Sequence, residues 1–223
     1  MKNIKLLDCT LRDGGYYNRW DFSENLIVDY LNCMKNCSVD YIELGFRTLK
    51  NVGFKGPCAY TKDEFINSVV KFSEPKIGIM INGSEILDNY QYSQKNVKNL
   101  FPSKIKSRLR LVRIACHSEE IINILPICEY LKKKNYKVGI NLMQISETSL
   151  PKVKEISKML QNSSVDVFYI ADSLGALDEE KLLNILDAIK SKYNKEIGIH
   201  AHDNMEKALS NSVTAINNGV TWV

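Results

Sequence analysis

Histidine is scarce in this chain: three residues among 223, two of them in the single tripeptide His200-Ala201-His202. Cysteine occurs six times, at positions 9, 33, 37, 58, 116 and 128, and never as a CxxC pair. Cys33 and Cys37 stand one helical turn apart and read as neighbours on a helix rather than zinc ligands. Several cysteines lie in apolar runs, where a free thiol behaves as a small hydrophobe. Reduced thiols fit a cytoplasmic protein. No apolar stretch reaches the length of a membrane span. Met1-Lys2-Asn3-Ile4 passes into a strand-like run with no signal-peptide apolar core, so a cytoplasmic protein without membrane contact is expected. No one sign of charge dominates, with 30 Lys+Arg against 26 Asp+Glu and a net charge of +4. The one basic run, Lys132-Lys133-Lys134, closes a predicted helix and complements its dipole. A nucleic-acid partner is therefore not expected. There is no low-complexity segment and no repeat beyond a strand-helix unit.

What is present is a regular alternation. Short β-branched or apolar runs occur at Ile4–Cys9, Tyr41–Phe46, Lys76–Ile81, Leu109–Ala115, Val138–Ile145, Val165–Ala171 and Ile197–His200, and an eighth begins at Val220–Val223. Amphipathic segments of helical period lie between most of them: Glu24–Asn36, Lys62–Phe72, Glu119–Lys133, Lys152–Gln161, Glu179–Lys192 and Met205–Asn217. Ser84–Ser107 reads as a helix with an extra turn. Such spacing predicts parallel βαβ units and an α/β fold, a (β/α)8 TIM barrel in one domain, residues 1–223, truncated within strand 8. A doubly wound open sheet is the alternative. Against it, no glycine-rich phosphate loop follows the first strand, and polar residues stand at many strand ends rather than at one switch point.

Those ends carry Arg12-Asp13 on strand 1, Glu43 and Arg47 on strand 2, Asn82 on strand 3, and Arg113 with His117 on strand 4. Strand 5 carries Asn141 and Gln144, strand 6 Asp172, and strand 7 His200 and His202. A barrel gathers them on one face. Residues i and i+2 of a strand share a face, so both imidazoles enter the mouth. They are either metal ligands or a hydrogen-bonded buried pair. Two imidazoles and a carboxylate suit a mid-row divalent ion, and Asp13 is the natural third ligand. Arg12 either stabilises a developing oxyanion or forms a structural salt bridge, for instance with Glu43.

Leu7-Asp8-Cys9-Thr10-Leu11-Arg12-Asp13-Gly14 resembles the first-strand motif of the metal-dependent TIM-barrel lyases and synthases related to hydroxymethylglutaryl-CoA lyase and isopropylmalate synthase. His200-Ala201-His202-Asp203-Asn204 resembles their seventh-strand motif. Val112-Arg113-Ile114-Ala115-Cys116-His117 and Ala171-Asp172-Ser173-Leu174-Gly175-Ala176-Leu177 are most similar to the 4-hydroxy-2-oxovalerate aldolase branch. The resemblance implies that Asp13, His200 and His202 bind Mn²⁺ or Mg²⁺, which acts as a Lewis acid. It implies that Arg12 neutralises an enolate oxygen, and that a C–C bond breaks or forms through a metal-bound enolate of a 2-oxo acid. The implied partners are a 2-oxo acid and an aldehyde, with a homo-oligomer expected. The aldolases' C-terminal helical region, which contacts a dehydrogenase partner, is not in this chain.

One position departs from that pattern. The aldolases carry a His base three residues after the metal Asp, and here the place holds Tyr16. Its phenol is either a proton relay, its pKa lowered by the cation and Arg12, or an aromatic wall, with Gly14 and Gly15 providing a tight turn. Glu43 is expected to orient Arg12. Arg113 binds a substrate carboxylate or pairs with an acid. Asp172 and Ser173 are candidate substrate contacts; Asp172 otherwise orients a metal ligand or water, or caps the following turn. His117 is a base or a helix-start residue. The long Arg47–Tyr60 connection has the length of a lid, and Asp203 and Asn204 are expected to cap a helix. Two further readings stand beside the aldolase. One is a Claisen-type acyl-CoA lyase or synthase, although no basic cluster marks a CoA site. The other is a degenerate barrel that binds a ligand or partner without turnover. A carboxyl transferase would need a lysine on strand 5, which runs Gly139-Ile140-Asn141-Leu142-Met143.

Overall fold

The computed structural model describes residues 4–89, 91–102 and 107–223. The segment 1–3, where the sequence reading begins, and positions 90 and 103–106, inside the Ser84–Ser107 span, lie outside the described residues. Seven runs form one parallel sheet in sequential order: β1 (Leu7–Asp8), β2 (Tyr41–Phe46), β3 (Lys76–Asn82), β4 (Leu109–Cys116), β5 (Lys137–Leu142), β6 (Val167–Asp172) and β7 (Glu196–Ala201). The helices are α1 (Thr10–Asn18), α2 (Glu24–Asn36), α3 (Asp63–Val69), α4 (Gly83–Ile86), α5 (Gln94–Leu100), α6 (Ile121–Lys133), α7 (Leu150–Gln161), α8 (Glu179–Lys190) and α9 (Ala208–Asn217). Every residue of β2 and β6 is buried. That is why these strands read as continuous apolar runs: helices cover one face of a parallel sheet and the barrel interior covers the other. The crossover helices bury a stripe at helical spacing, as in α6, which buries Ile121, Ile124, Ile127, Cys128 and Leu131. In α8 the stripe is Leu182, Ile185, Leu186 and Ile189.

The expected eighth strand is present as a bridge. Lys5 N donates to Thr221 O and Leu7 N to Val223 O on one side, while Ile199 N donates to Trp222 O on the other. Trp222 thus links Lys5 to Gly198, and residues 221–223 join β7 to β1 at the lower end of the sheet.

Inward side chains stack in layers. Leu7, Tyr41, Leu111, Val167, Tyr169 and Trp222 form an apolar floor. Large inward side chains stand beside glycines on the neighbouring strand: Tyr169 of the floor beside Gly198, and, above the floor, Glu43 beside Gly78 and Arg113 beside Gly139. A Cβ at Gly198 would overlap the Tyr169 ring, and one at Gly139 would lie 2.9 Å from that ring and 3.2 Å from Arg113 Cγ. The glycines provide room for a charged layer inside the barrel. Phe46, Met80 and Ala115, with Trp20 and Met143, make a separate apolar cluster higher up.

Several expectations are corrected. β1 ends at Asp8, and Arg12 and Asp13 stand on a helix, α1. The Asp8 carboxylate accepts from Thr10 N at 2.9 Å, and Asp13 N donates to Cys9 O at 2.9 Å. The chain therefore leaves the strand through an Asx turn directly into a helix. Gly14 and Gly15 are helical. The left-handed turn falls at Arg19 and Trp20, with φ of 60° and 57°, and Gly15 is needed because the Trp20 indole occupies the place its Cβ would take. Strand β5 stops at Leu142, and Ile145–Glu147 is a single 3-10 turn. The span after β3 holds α4, a small hairpin of Leu87–Asp88 with Gln91–Tyr92, and α5. In the long connection after β2, Arg47 is buried and donates to Thr61 O, Leu100 O and Asp63. Its base is therefore anchored, while Val52 and Phe54 are exposed.

The layered packing gives a direct test. Tyr169 is fully buried between Arg113 and Trp222, so it cannot yield to a new methyl. Gly198→Ala is expected to lower the unfolding free energy by about 1–3 kcal/mol, the usual cost of overpacking. Urea unfolding measures it. An unchanged midpoint would mean the ring layer has slack.

Candidate active site

Arg12 emerges from α1 into the upper end of the barrel and is 4% exposed. Its Nε donates to Glu43 Oε2 at 2.7 Å, its Nη1 is paired with Asp13 Oδ1, and its Nη2 lies 3.4 Å from His200 Nε2. Asp13 Oδ2 is 3.5 Å from the same His200 Nε2. His202 Nε2 is 3.2 Å from it. Two-residue periodicity at the end of β7 thus brings both imidazoles together, and α1 supplies the carboxylate beside them. Three side chains meet around one ring nitrogen. The structure also brings Glu43 to Arg12, as the sequence reading expected.

Electrostatics set the state of these groups. Burial, reinforced by Arg113, Arg12 and His202, holds His200 well below the ordinary histidine range. It is therefore neutral, the form that donates a lone pair. Burial raises the Asp13 carboxyl from its usual value, and Arg12 opposes that shift. Burial also works against the charge of Arg12, but Glu43, Cys9 and Asp13 hold its pKa above the ordinary value.

The sequence reading missed Cys9. Its Sγ is 3.9 Å from His200 Nδ1, and Cys9, Asp13 and His200 offer ligand atoms within 4.8 Å of one another. Burial and the nearby Glu43 push the Cys9 thiol up to about 11, so it is a thiol and not a thiolate. It contacts the imidazole edge opposite to Nε2. The donor set that fits a divalent ion is accordingly a carboxylate and two imidazoles around Nε2, with Cys9 against the back of the His200 ring.

Other candidates fall elsewhere. Arg113 is 1% exposed and bound to Glu43 and Asn141 beneath the site, so it is not at the mouth where a substrate carboxylate would meet it. Asp172 is buried and accepts from Ala176 N and Leu177 N at 2.9 and 3.2 Å; it caps its own turn. Ser173 Oγ accepts from Gln144 N at 3.2 Å. His117 N donates to Glu120 Oε2 at 2.8 Å ahead of α6, and His117 lines a separate cavity of about 350 Å³ with Met143, Gln144 and Lys152. Asp203 caps the last helix, accepting from Ala208 N at 2.8 Å.

Tyr16 is 63% exposed and packs edge-on against Trp20 and Phe46, with ring centres 4.8 and 6.0 Å away. Its phenol is raised from its ordinary value, chiefly by burial, against the lowering effect of Arg12. Arg12 acts in the expected direction but burial outweighs it, so that, setting aside any effect of a bound cation, the phenol is protonated near neutrality.

A parallel barrel that gathers an arginine, a carboxylate and two imidazoles at its upper end has the architecture of an α/β-barrel enzyme. The chain belongs to the HMGL-like family, which matches residues 3–223. It is 24% identical over 228 residues to a 4-hydroxy-2-oxovalerate aldolase of Bacillus cereus, covering 99% of this chain and 62% of that protein. The chain thus spans about 62% of the length of the curated relatives it matches. Among solved structures, the N-terminal domain of a candidate aldolase from Bacteroides vulgatus is 30% identical with a TM-score of 0.87, covering 98% of this chain and 71% of that one. The HMG-CoA lyase of Bacillus subtilis is 14% identical with a TM-score of 0.76, covering 100% of this chain and 76% of that one, and shares the fold.

The geometry separates candidate ligands from neighbours. His200→Ala and Asp13→Ala are expected to abolish Mn²⁺ binding measured by calorimetry. Asp172→Ala should leave it intact while lowering stability by about 1–3 kcal/mol, because two backbone donors lose their acceptor. Full Mn²⁺ stoichiometry in His200→Ala would remove the assignment.

Proposed function

We propose that this chain, as one catalytic domain spanning residues 1–223, is a divalent-metal-dependent lyase of the aldolase type. It breaks or forms a C–C bond through the enolate of a 2-oxo acid, with an aldehyde as the other partner. The observation that supports this reading best is the meeting of Arg12, Asp13, His200 and His202 around one imidazole nitrogen. Asp13, His200 and His202 would hold the ion. Once bound there, a divalent cation supplies Lewis-acid polarisation of the substrate carbonyl.

Charge balance favours an anionic substrate. The formal charges of Arg12 and Arg113 cancel those of Asp13 and Glu43, and His200 is neutral. A divalent ion would bring two further positive charges to this partly buried site. A 2-oxo acid in its enolate form brings a carboxylate and an oxyanion, whereas a neutral substrate would leave that charge unpaired at high cost. Arg12 presents its terminal nitrogens toward the site as fixed donors for an oxygen on which charge develops. The protonated Tyr16 phenol stands at the mouth above Phe46, suited to give a proton to the alkoxide oxygen formed when the C–C bond is made.

The test begins with the first half of the chemistry. The protein with Mn²⁺ or Mg²⁺ is expected to catalyse exchange of the methyl protons of pyruvate with D₂O, and chelation should stop the exchange. Failure of exchange under all metals would overturn the reading. Arg12→Lys should retain the metal and lose about 10²–10³ in turnover, the scale for one electrostatic donor. Tyr16→Phe should keep pyruvate exchange but lose about 10²-fold or more in aldol turnover. Full aldol turnover in that variant would leave Tyr16 a wall only.

A further inference from the structure

Two guanidiniums and one carboxylate share the buried layer beneath the site. Glu43 is fully buried, and one oxygen, Oε2, accepts from Arg12 Nε at 2.7 Å and from Arg113 Nη1 at 3.3 Å. Its other oxygen, Oε1, is buried with no hydrogen-bond partner among the described residues. Arg113 Nη2 is bound to Asn141 Oδ1, and the guanidinium stands 4.2 Å from the Tyr169 ring centre.

This arrangement is not what an isolated pair would adopt. A carboxylate and a guanidinium gain most from two parallel hydrogen bonds, and Glu43 has a spare oxygen to make the second. Any such bidentate pair would engage at least one terminal nitrogen of Arg12. Both of those nitrogens instead face Asp13 and His200. What holds Glu43 in the weaker geometry is on its far side: Arg113, fixed by Asn141 and by its stacking on Tyr169.

We infer that Arg113 is a positioning residue, which by sharing Glu43 Oε2 keeps Glu43 from chelating Arg12 and so leaves both terminal nitrogens of Arg12 turned to the site. This explains why a second arginine is buried where an apolar side chain would avoid its desolvation cost. It also explains the pairing of Arg113 with Gly139, whose missing Cβ admits it. The functional consequence rests on the reading of Arg12 given above; the structural one does not.

Crystal structures and calorimetric titrations with oxalate, a planar dianion resembling the pyruvate enolate, decide the matter. Wild type, Arg113→Met, Asn141→Ser and the double variant Arg113→Met/Glu43→Gln are compared, all with Mn²⁺. In Arg113→Met, Glu43 is expected to turn both oxygens onto Arg12, with oxalate binding about 10–100-fold weaker. The double variant should recover part of that loss, because the amide introduced by Glu43→Gln has one acceptor oxygen and no charge with which to draw the guanidinium. Asn141→Ser should show the same two changes in smaller degree, and it carries the test should Arg113→Met not fold. Glu43 remaining on Nε alone in Arg113→Met, or a double variant that binds oxalate no better than Arg113→Met, would overturn the inference. Wild type failing to bind oxalate would count against the proposed function, while the position of Glu43 in the variant crystals still decides this one.

Discussion

The site depends on one buried carboxylate. Glu43 lies inside the barrel with no access to water, where an unpaired charge is prohibitive. Two arginines on either side make its burial tolerable, and in return Glu43 fixes the guanidinium of Arg12 by its Nε. From Arg12 the constraint passes to Asp13 and His200. The orientation of the candidate metal ligands is therefore set from below, by the layer on which they rest. Removing one member leaves a buried charge of the opposite sign, so the layer is held together more tightly than the modest worth of any exposed ion pair would allow.

That polar layer exists because the backbone makes space for it. In an ordinary barrel the interior is filled by branched aliphatic residues. Here Gly139 and Gly198 oppose Arg113 and Tyr169, and the volume a side chain would have taken is filled by a guanidinium and a phenol ring. Below, Trp222 packs against Tyr41 and Tyr169 and seals the floor. Above, Phe46, Met80 and Ala115 form an apolar shelf. A charged layer between two dry ones experiences a low effective dielectric, which strengthens both the pairing within it and the effect of Arg12 on any oxyanion placed above.

Periodicity in the sequence exposed the sheet, because both-face burial of parallel strands gives apolar runs bounded by helices, and β2 was legible to the residue. The pair His200 and His202 was legible for the same reason: strand parity is geometry that sequence records directly. What the sequence did not show is where local hydrogen bonding overrides the pattern. Asp8 turns the chain into α1 directly after a two-residue strand, which puts Arg12 and Asp13 on a helix rather than a strand. Arg113 and Asp172 look alike as polar residues at strand ends. Only tertiary contacts separate an arginine shared with Glu43 from a carboxylate bound to its own turn. Cys9 was hidden because a thiol in an apolar run carries no signal until an imidazole is seen against it.

Tyr16 shows how a substitution at one position draws in its surroundings. A phenol there meets Trp20 and Phe46 edge to edge. Trp20 reaches that position only because Arg19 and Trp20 both adopt left-handed backbone and because Gly15 leaves room for the indole. The indole Nε1 then donates to Arg12 O at 2.8 Å, tying the aromatic wall to the main chain of the residue that faces the site. The wall and the charged layer thus grip Arg12 from both ends, by its carbonyl from above and by its Nε from below. A histidine at position 16 would bring a titratable base to this mouth. The tyrosine brings instead a phenol whose proton burial helps to keep in place.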